Sequence, residues 1–370
     1  VSNFTCPVVR IGAITKHPNA DSLSTTVVEG ETVVIRTGDY QEGDLAIYVP
    51  LDAVVPPTVP GTEFLENHRR IRAKRLRGVY SEGLLLPLMV GASSSSYLKV
   101  GDDLAAKLGI VKHEDKVPDA WGSNSTSNRG TSDQDTNPGC IPHYDIEPYK
   151  KYRELMVEGE RVVITEKLHG CCSSYCFVVD KGFFVGSHNK FWRDPAAKLT
   201  VREKLYIFWR KLVGRPLPPR TVKPNLWWQI AKQYDLQATL SDVTNQGYAI
   251  YGEVFGQVQD IRYGAAPGQI WLRVFDIYDT VGKCWLDWDS VVWACEHLHL
   301  DTVPVLYDGP FNEEKLASLI EGKSVLADNI REGVVVKPAV TRIEPHFGRV
   351  ILKCVSQAYH LRKGNTTELH

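Results

Sequence analysis

Residues Val162 to Gly170 read VVITEKLHG, an apolar strand that runs into a glutamate and then into Lys167, His169 and Gly170. A lysine at the end of a strand stands at the rim of a sheet, where it is presented to a ligand. Taken alone, such a lysine is more often only a solvated strand end. Its amine has an unperturbed pKa of about 10.4, so near neutral pH it is an ammonium, and it becomes a nucleophile only where its surroundings favour the neutral form. A second group is the run His68 to Arg77, HRRIRAKRLR, in which Arg69, Arg70, Arg72, Lys74, Arg75 and Arg77 stand without an acid among them. Such a run is either a solvated face or a row of phosphate contacts. The eight cysteines form no C-x-x-C pair of the kind structural zinc uses, and they read as reduced thiols of an intracellular protein. Cys171, Cys172 and Cys176 enter a strand and are expected to pack in its core. Cys295, Glu296, His297 and His299 are spaced so that they do not share a helix face, which speaks against a metal site there.

The elements that must position these groups fall into two parts. From Val8 to about Leu88 the chain alternates short apolar runs with turns (VVRIGAI, TTVVEG, TVVIRTG, LAIYVPL, LRGV, GLLLPL), which predicts a small β-barrel. Within it HPNADSL, GDLAIYVP and RLRGVYSEGLLLP resemble OB-fold domains that bind tRNA and other structured RNA. A short helix is expected at AAKLGIV, and Ser123 to Pro138, polar and free of aromatics, reads as a flexible linker. From about Ile141 strands and helices alternate in an α+β manner. Strands are expected at RVVIT, SSYCFVV, FFVGS, YAIYGEVF, WLRVFDIY, GVVVKP and RVILKC. Helices are expected from Asp194 through WRKLV, around Leu226 to Leu240, and around Ser290 to Leu300. The expected division is 1–122, OB-fold-like and RNA-binding; 123–140, linker; and 141–370, a second domain built on antiparallel sheets. With 43 Lys and Arg against 44 Asp and Glu, the average charge says little about partners. No apolar run has the length of a signal peptide or a membrane span.

The string E-K-x-H-G around Lys167 resembles motif I of the nucleotidyltransferase superfamily of RNA ligases, DNA ligases and capping enzymes, which attach a nucleoside monophosphate to that lysine. In the family's order there follow GSHN (Gly186 to Asn189), resembling motif Ia; YGEVFG with Glu253, resembling motif III; RVFDIY with Phe275, resembling motif IIIa; REGVVVKP with Glu332 and Lys337, resembling motif IV; and VILKC with Lys353, resembling motif V. Together they span the second domain. The family usually carries two lysines separated by one residue in motif V. Here Ile351 and Val355 flank Lys353 at that distance, so Lys363 or Arg349 is expected to replace the missing lysine.

The resemblance implies a role for each residue. Lys167 is the nucleophile that takes AMP from ATP; Glu166, with the backbone beside it, reads the adenine edge, and Phe275 stacks on the base. Glu253 contacts the ribose. Glu332 organises the water shell of a Mg2+ or Mn2+ ion, with Glu253 a second oxygen ligand, while Lys353 and Lys337 touch the phosphates. Asn189 and Arg193 lie near the ribose and phosphates, and His169 and Gly170 complete motif I in the nucleotide site. The chemistry suits these residue types. Neighbouring cations and a divalent metal disfavour a second positive charge at Lys167, and fixed donors meet the charge that grows on the phosphates.

Minimal DNA ligases and capping enzymes place an OB domain after motif V, whereas only 17 residues follow Lys353 and the OB-like part lies in front. With His169 where those relatives have Asp, this resembles the branch of ATP-dependent RNA ligases that seal a 3'-OH to a 5'-phosphate in nicked duplexes and so repair RNA. The alternatives are a GTP-dependent capping guanylyltransferase and an RNA-binding relative that has lost turnover. The front domain is expected to be dispensable for adenylylation of Lys167, because every nucleotide motif follows the linker.

Overall fold

The computed structural model describes residues 4–91, 98–113, 134–135, 137–194, 208–210, 212–213, 225–242, 247–363 and 366–367. Most of the expected linker and most of the helix expected from Asp194 lie outside the described residues, but within that linker Gln134–Asp135 is a strand paired with Phe191–Trp192, held there by backbone hydrogen bonds to a sheet edge, so this stretch is not the flexible linker expected. Contacts gather into two compact units, one of Val1–Glu114, Asp145–Lys167 and Val305–Thr366, the other of Asp115–Tyr144, Leu168–Pro304 and Thr367–His370.

In the first unit, Val8–Arg10, Leu45–Val49 and Leu84–Pro87 form one antiparallel sheet, and Thr15–Lys16, Leu23–Val28 and Glu31–Arg36 another. LAIYV is apolar at every position because it is buried on both faces. Ile47 and Val49 enter a core with Val8, Leu86 and Leu104, whereas Ala46 and Tyr48 enter a second core with Val9, Ile11 and Val33. LRGV, expected as a strand, is instead the turn of a hairpin. Lys74–Leu76 pairs with Val79–Ser81, and the two residues between them, Arg77 and Gly78, have φ of 43° and 95°. Two positive φ values in a two-residue loop match the right-handed twist of the strands they join. The short helix is present at Ala105–Leu108.

The same unit holds a five-stranded sheet in the order Glu147–Pro148, Leu352–Val355, Gly333–Pro338, Arg161–Lys167, Val305–Pro310. All its pairs are antiparallel except the first. RVILKC does not form one strand. Gly348–Arg349 pairs with Ile343–Glu344, the Val350 N–H donates to Arg342 O at 2.9 Å, and the chain joins the large sheet only at Leu352. The helix Glu313–Ile320, capped by Asn312 Oδ1 accepting from the Lys315 N–H, was not expected from the sequence.

The second unit is built on a seven-stranded antiparallel sheet in the order Gln134–Asp135, Phe191–Trp192, Gly182–Ser187, Cys171–Val178, Tyr248–Gly256, Ile270–Asp279, Cys284–Trp285. The helix expected around Leu226 to Leu240 is two helices, Leu226–Gln233 and Leu236–Ser241. Asp235 between them has φ of 49°, which ends the first helix and redirects the second so that Leu236 and Leu240 are fully buried. The third expected helix is Trp288–His297. No described helix is long and apolar enough to cross a membrane.

Candidate active site

In the first unit the geometry begins with strand alternation. Lys337 stands opposite Val163, and Lys353 stands opposite Val335, which itself faces Thr165. Val163, Thr165 and Lys167 belong to one alternating series, so Lys167, Lys337 and Lys353 project from the same face of the sheet. The opposite face is apolar core, with Val162, Ile164, Val334, Val336 and Leu352. Lys167 Nζ donates to Glu332 Oε1, and Glu332 is buried at the start of the strand carrying Lys337.

Lys353 is held in a cationic field. Burial, then the ammonium groups of Lys167 and Lys112, push its pKa down to about 8 against the carboxylates of Glu147 and Glu332. Lys112, at the end of a strand paired with Ala53–Val54, and Glu147, opposite Leu352, were not singled out in the sequence. Neither Lys112 nor Glu147 lies in a motif string, and only folding reveals their bearing on Lys353.

Glu166 belongs to the other alternating series. Its carboxylate lies on the face opposite Lys167, where Oε2 accepts from the Val325 N–H at 2.9 Å and Arg331 Nε stands 4.0 Å away. Arg331 in turn donates to Leu319 O at 2.6 Å and to Lys323 O at 2.9 Å. Glu166 Oε1 is buried without a hydrogen-bond partner among the described residues. Arg331 opens the string REGVVVKP, so the sequence held it, but nothing there tied it to Glu166.

In the second unit His169 is fixed by hydrogen bonds. Its Nε2 lies 2.7 Å from Asp260 Oδ1, and its backbone N–H donates to Tyr263 Oη at 2.7 Å. The Thr367 N–H and Oγ1 donate to the same Asp260 oxygen. At Gly170 a Cβ would stand 2.2 Å from Val254 O, so the strands meet only because the residue has no side chain. Glu253 stands opposite Cys172 and is half-buried. Phe275 is the extra residue of a bulge, since Tyr251 pairs with Asp276 while Gly252 pairs with Val274. Bulges turn a side chain out of the ladder beside sites. Here the ring meets Tyr144 at 4.7 Å between centroids, and Tyr144 is held by its hydroxyl donating to Asp276 Oδ2 at 2.9 Å. On the same face as Glu253, a cavity of about 200 Å³ is lined by His143, Tyr144, Cys172, Ser174, Asn189 and Tyr251. Asn189 is exposed at its rim and Arg193 half-buried past the end of the Phe191–Trp192 strand. Cys171 and Cys176 are core residues, as expected, whereas Cys172, on the alternate face of the strand, is half-buried and lines the cavity.

The basic run divides. Arg70 forms an ion pair with Asp52 at 2.7 Å, and Arg69 donates to Glu66 O, Thr62 O and Thr62 Oγ1, so both are committed to their own loop. Arg72, Lys74, Arg75 and Arg77 are exposed on and beside the hairpin. Three ammonium groups on one face beside a carboxylate suit a polyphosphate with a hard divalent cation, whose preferred ligands are oxygens.

An RNA ligase family model matches residues 160–355, more than half of the chain, and an OB-fold domain model matches residues 6–88. No curated protein matches the chain. Among solved structures, a mutant of the RNA ligase of Naegleria gruberi with AMP and Mn is similar at a TM-score of 0.75 and 22% identity, over 97% of this chain and 98% of that one. A mutant of the same ligase with ATP and Mn gives 0.74 and 22% over 97% and 98%, and the ligase with PPi gives 0.74 and 23% over 96% and 98%. At that identity the likeness establishes the fold, an OB-fold domain ahead of a domain of antiparallel sheets.

Proposed function

This chain belongs to the RNA ligase family, enzymes that form phosphodiester bonds, and on that premise we propose that it is ATP-dependent, works through AMP bound to Lys167, and seals nicks in RNA-containing duplexes. The observation that carries the reading is the shared face of Lys167, Lys337 and Lys353, with Glu332 bonded to Lys167. The ATP and Mn of the similar structures support it.

Lys167 Nζ attacks the α-phosphorus of ATP, the P–N bond forms as the P–O bond to pyrophosphate breaks, and the proton leaves the amine. Glu332 is the carboxylate already touching that amine. Glu332 and Glu253 are the carboxylates that would offer oxygens to a divalent cation, which when bound would neutralise phosphate charge and favour the neutral amine at Lys167. Lys353 and Lys337 meet the negative charge of the phosphates, Phe275 holds the base, and Glu253 the ribose. A 5'-phosphate of RNA then takes AMP from Lys167, and the neighbouring 3'-OH displaces AMP to close the strand. We assign residues 1–122 to RNA binding, 141–370 to catalysis and the stretch between them to a linker, except Gln134–Asp135, which belongs to the catalytic sheet. The exposed hairpin cations Arg72, Lys74, Arg75 and Arg77 are the phosphate contacts.

Incubation with labelled ATP or GTP and Mg2+ or Mn2+, followed by denaturing electrophoresis, tests the reading. Covalent label from ATP supports it, label from GTP points to capping, and no label from either removes the enzymatic reading. For RNA contact, reversing the charges of Arg72, Lys74 and Arg75 should weaken nicked-duplex binding and flatten its dependence on salt by roughly 0.7 to 0.9 per lost contact. An unchanged slope would make the hairpin a solvated face.

A further inference from the structure

Between the OB-fold part and the Lys167 sheet lies a cluster of charges that the reaction as described does not use. Lys150 Nζ donates to Glu31 Oε2 and to Glu82 Oε2, each at 2.6 Å. Glu82 also accepts from Tyr80 Oη at 2.9 Å, with His360 Nε2 3.9 Å from the same oxygen, and Lys151 pairs with Glu29. The turn between the two glutamates at Glu29 and Glu31 rests on the backbone of Lys150, because a Cβ on Gly30, whose φ is 80°, would stand 2.5 Å from Lys150 O. Glu82 is buried and Glu31 mostly so, while Lys150 reaches them from an exposed position; burial and the adjoining Glu82 push the Glu31 carboxyl up to about 8. Two acidic side chains taken largely out of water are a costly way to gain stability, since their desolvation offsets the attraction of Lys150, and their clearest use is to fix one geometry.

What they fix is set by the chain. Lys150 sits in the helix Tyr149–Tyr152, directly after the strand Glu147–Pro148. That strand pairs with the Lys353 strand, Glu147 opposite Leu352 and Pro148 opposite Lys353. One end of this short segment is therefore held by carboxylates of the OB-fold part and the other lies against Lys353.

We propose that Lys150 is a positioning residue for adenylylation of Lys167, through which Glu31 and Glu82 of the OB-fold part hold the Glu147–Pro148 strand in place against Lys353. This rests on the lysine-AMP reading above. It also reverses the expectation that the front domain is dispensable for adenylylation, because the phosphate-facing lysine is placed through it.

The test is single-turnover labelling of the full-length protein with saturating ATP, reading the rate constant and the amplitude separately. A merely structural role would lower the amplitude, the fraction of folded enzyme, and leave the rate constant alone. Lys150→Met should keep the amplitude and slow the rate constant by on the order of ten-fold or more, since small misplacements of reacting groups carry large rate penalties. Lys150→Arg, which keeps both carboxylate contacts, should restore it. Glu31→Gln with Glu82→Gln should slow the wild type but add little to Lys150→Met, because all three act as one unit. Should Lys150→Met yield no folded protein, the double glutamine variant, which keeps shape, gives the same readout. A wild type that labels while these variants label at its rate overturns the inference alone, whereas a wild type that takes no label overturns the lysine-AMP reading first.

Discussion

In the five-stranded sheet the candidate side chains are charged and act on one another: Lys167 holds Glu332, and Lys353 titrates in the field of Lys167 and Lys112. In the seven-stranded sheet they are placed by shape, with Phe275 turned out by a bulge onto Tyr144, His169 locked by Asp260 and Tyr263, and Gly170 making room for a neighbouring strand. The difference is one of means, mutual charge in one sheet and fixed shape in the other; on the function proposed above, the first would meet anions and the second would orient a planar base.

The sharpest break in that comparison is Lys167→Ala, which should abolish covalent labelling by ATP while leaving some closure of a nick whose 5' end already carries AMP. A labelled mutant would move the nucleophile elsewhere. Next in size, Glu332→Gln should slow both labelling and closure by on the order of 100-fold, because it keeps the shape and loses the charge that orients a metal's water shell. Activity near wild type would show that the cation is held by other groups. On the shape-governed sheet the effect should be smaller and of a different kind. Phe275→Ala should raise the KM for ATP roughly five- to ten-fold, about 1 kcal/mol of ring contact, with kcat nearly kept. A loss confined to kcat would place Phe275 in the charge-governed class.

The mildest test uses pH. Lys353 has its pKa lowered to about 8, so its ammonium is present below that pH and lost as pH rises through it. The kcat/KM for ATP, which reports the free enzyme, should fall on the alkaline side near pH 8. Lys353→Arg should move that fall out of range, since the guanidinium stays charged. Linkage has the opposite sign: a lysine lowered in the folded state opposes folding most below about 8, and the penalty fades toward its ordinary 10.5. Lys353→Met should therefore melt at a higher temperature at pH 7, with the gain shrinking as pH rises.

What the sequence showed of this site follows from how local each signal was. The strands bearing Lys167, Glu253, Phe275 and Lys337 are continuous apolar or alternating runs, and they stand where expected. Glu166 and Lys167 are neighbours in the chain, yet alternation sends them to opposite faces, which a motif string does not convey. Partners brought together by folding were invisible: Asp260 is 91 residues from His169. Arg69 and Arg70 looked like the rest of the basic run until Asp52 and the Thr62 to Glu66 loop claimed them. Leu226 to Leu240 has helical periodicity throughout, and only the positive φ at Asp235 divides it. Leu76 to Val79 looks in sequence like a short apolar run, because the turn at Arg77 and Gly78 lacks the Asn or Asp that usually marks one.

The strand Leu45–Val49, whose alternate residues fill two separate cores, has a consequence for how the OB-fold part opens. Fluctuations that loosen one core leave the strand held by the other, so its amide hydrogens have no partial route to solvent. Ala46, Ile47, Tyr48 and Val49 should be among the last in the chain to exchange with deuterium, at a rate set by complete unfolding of that part.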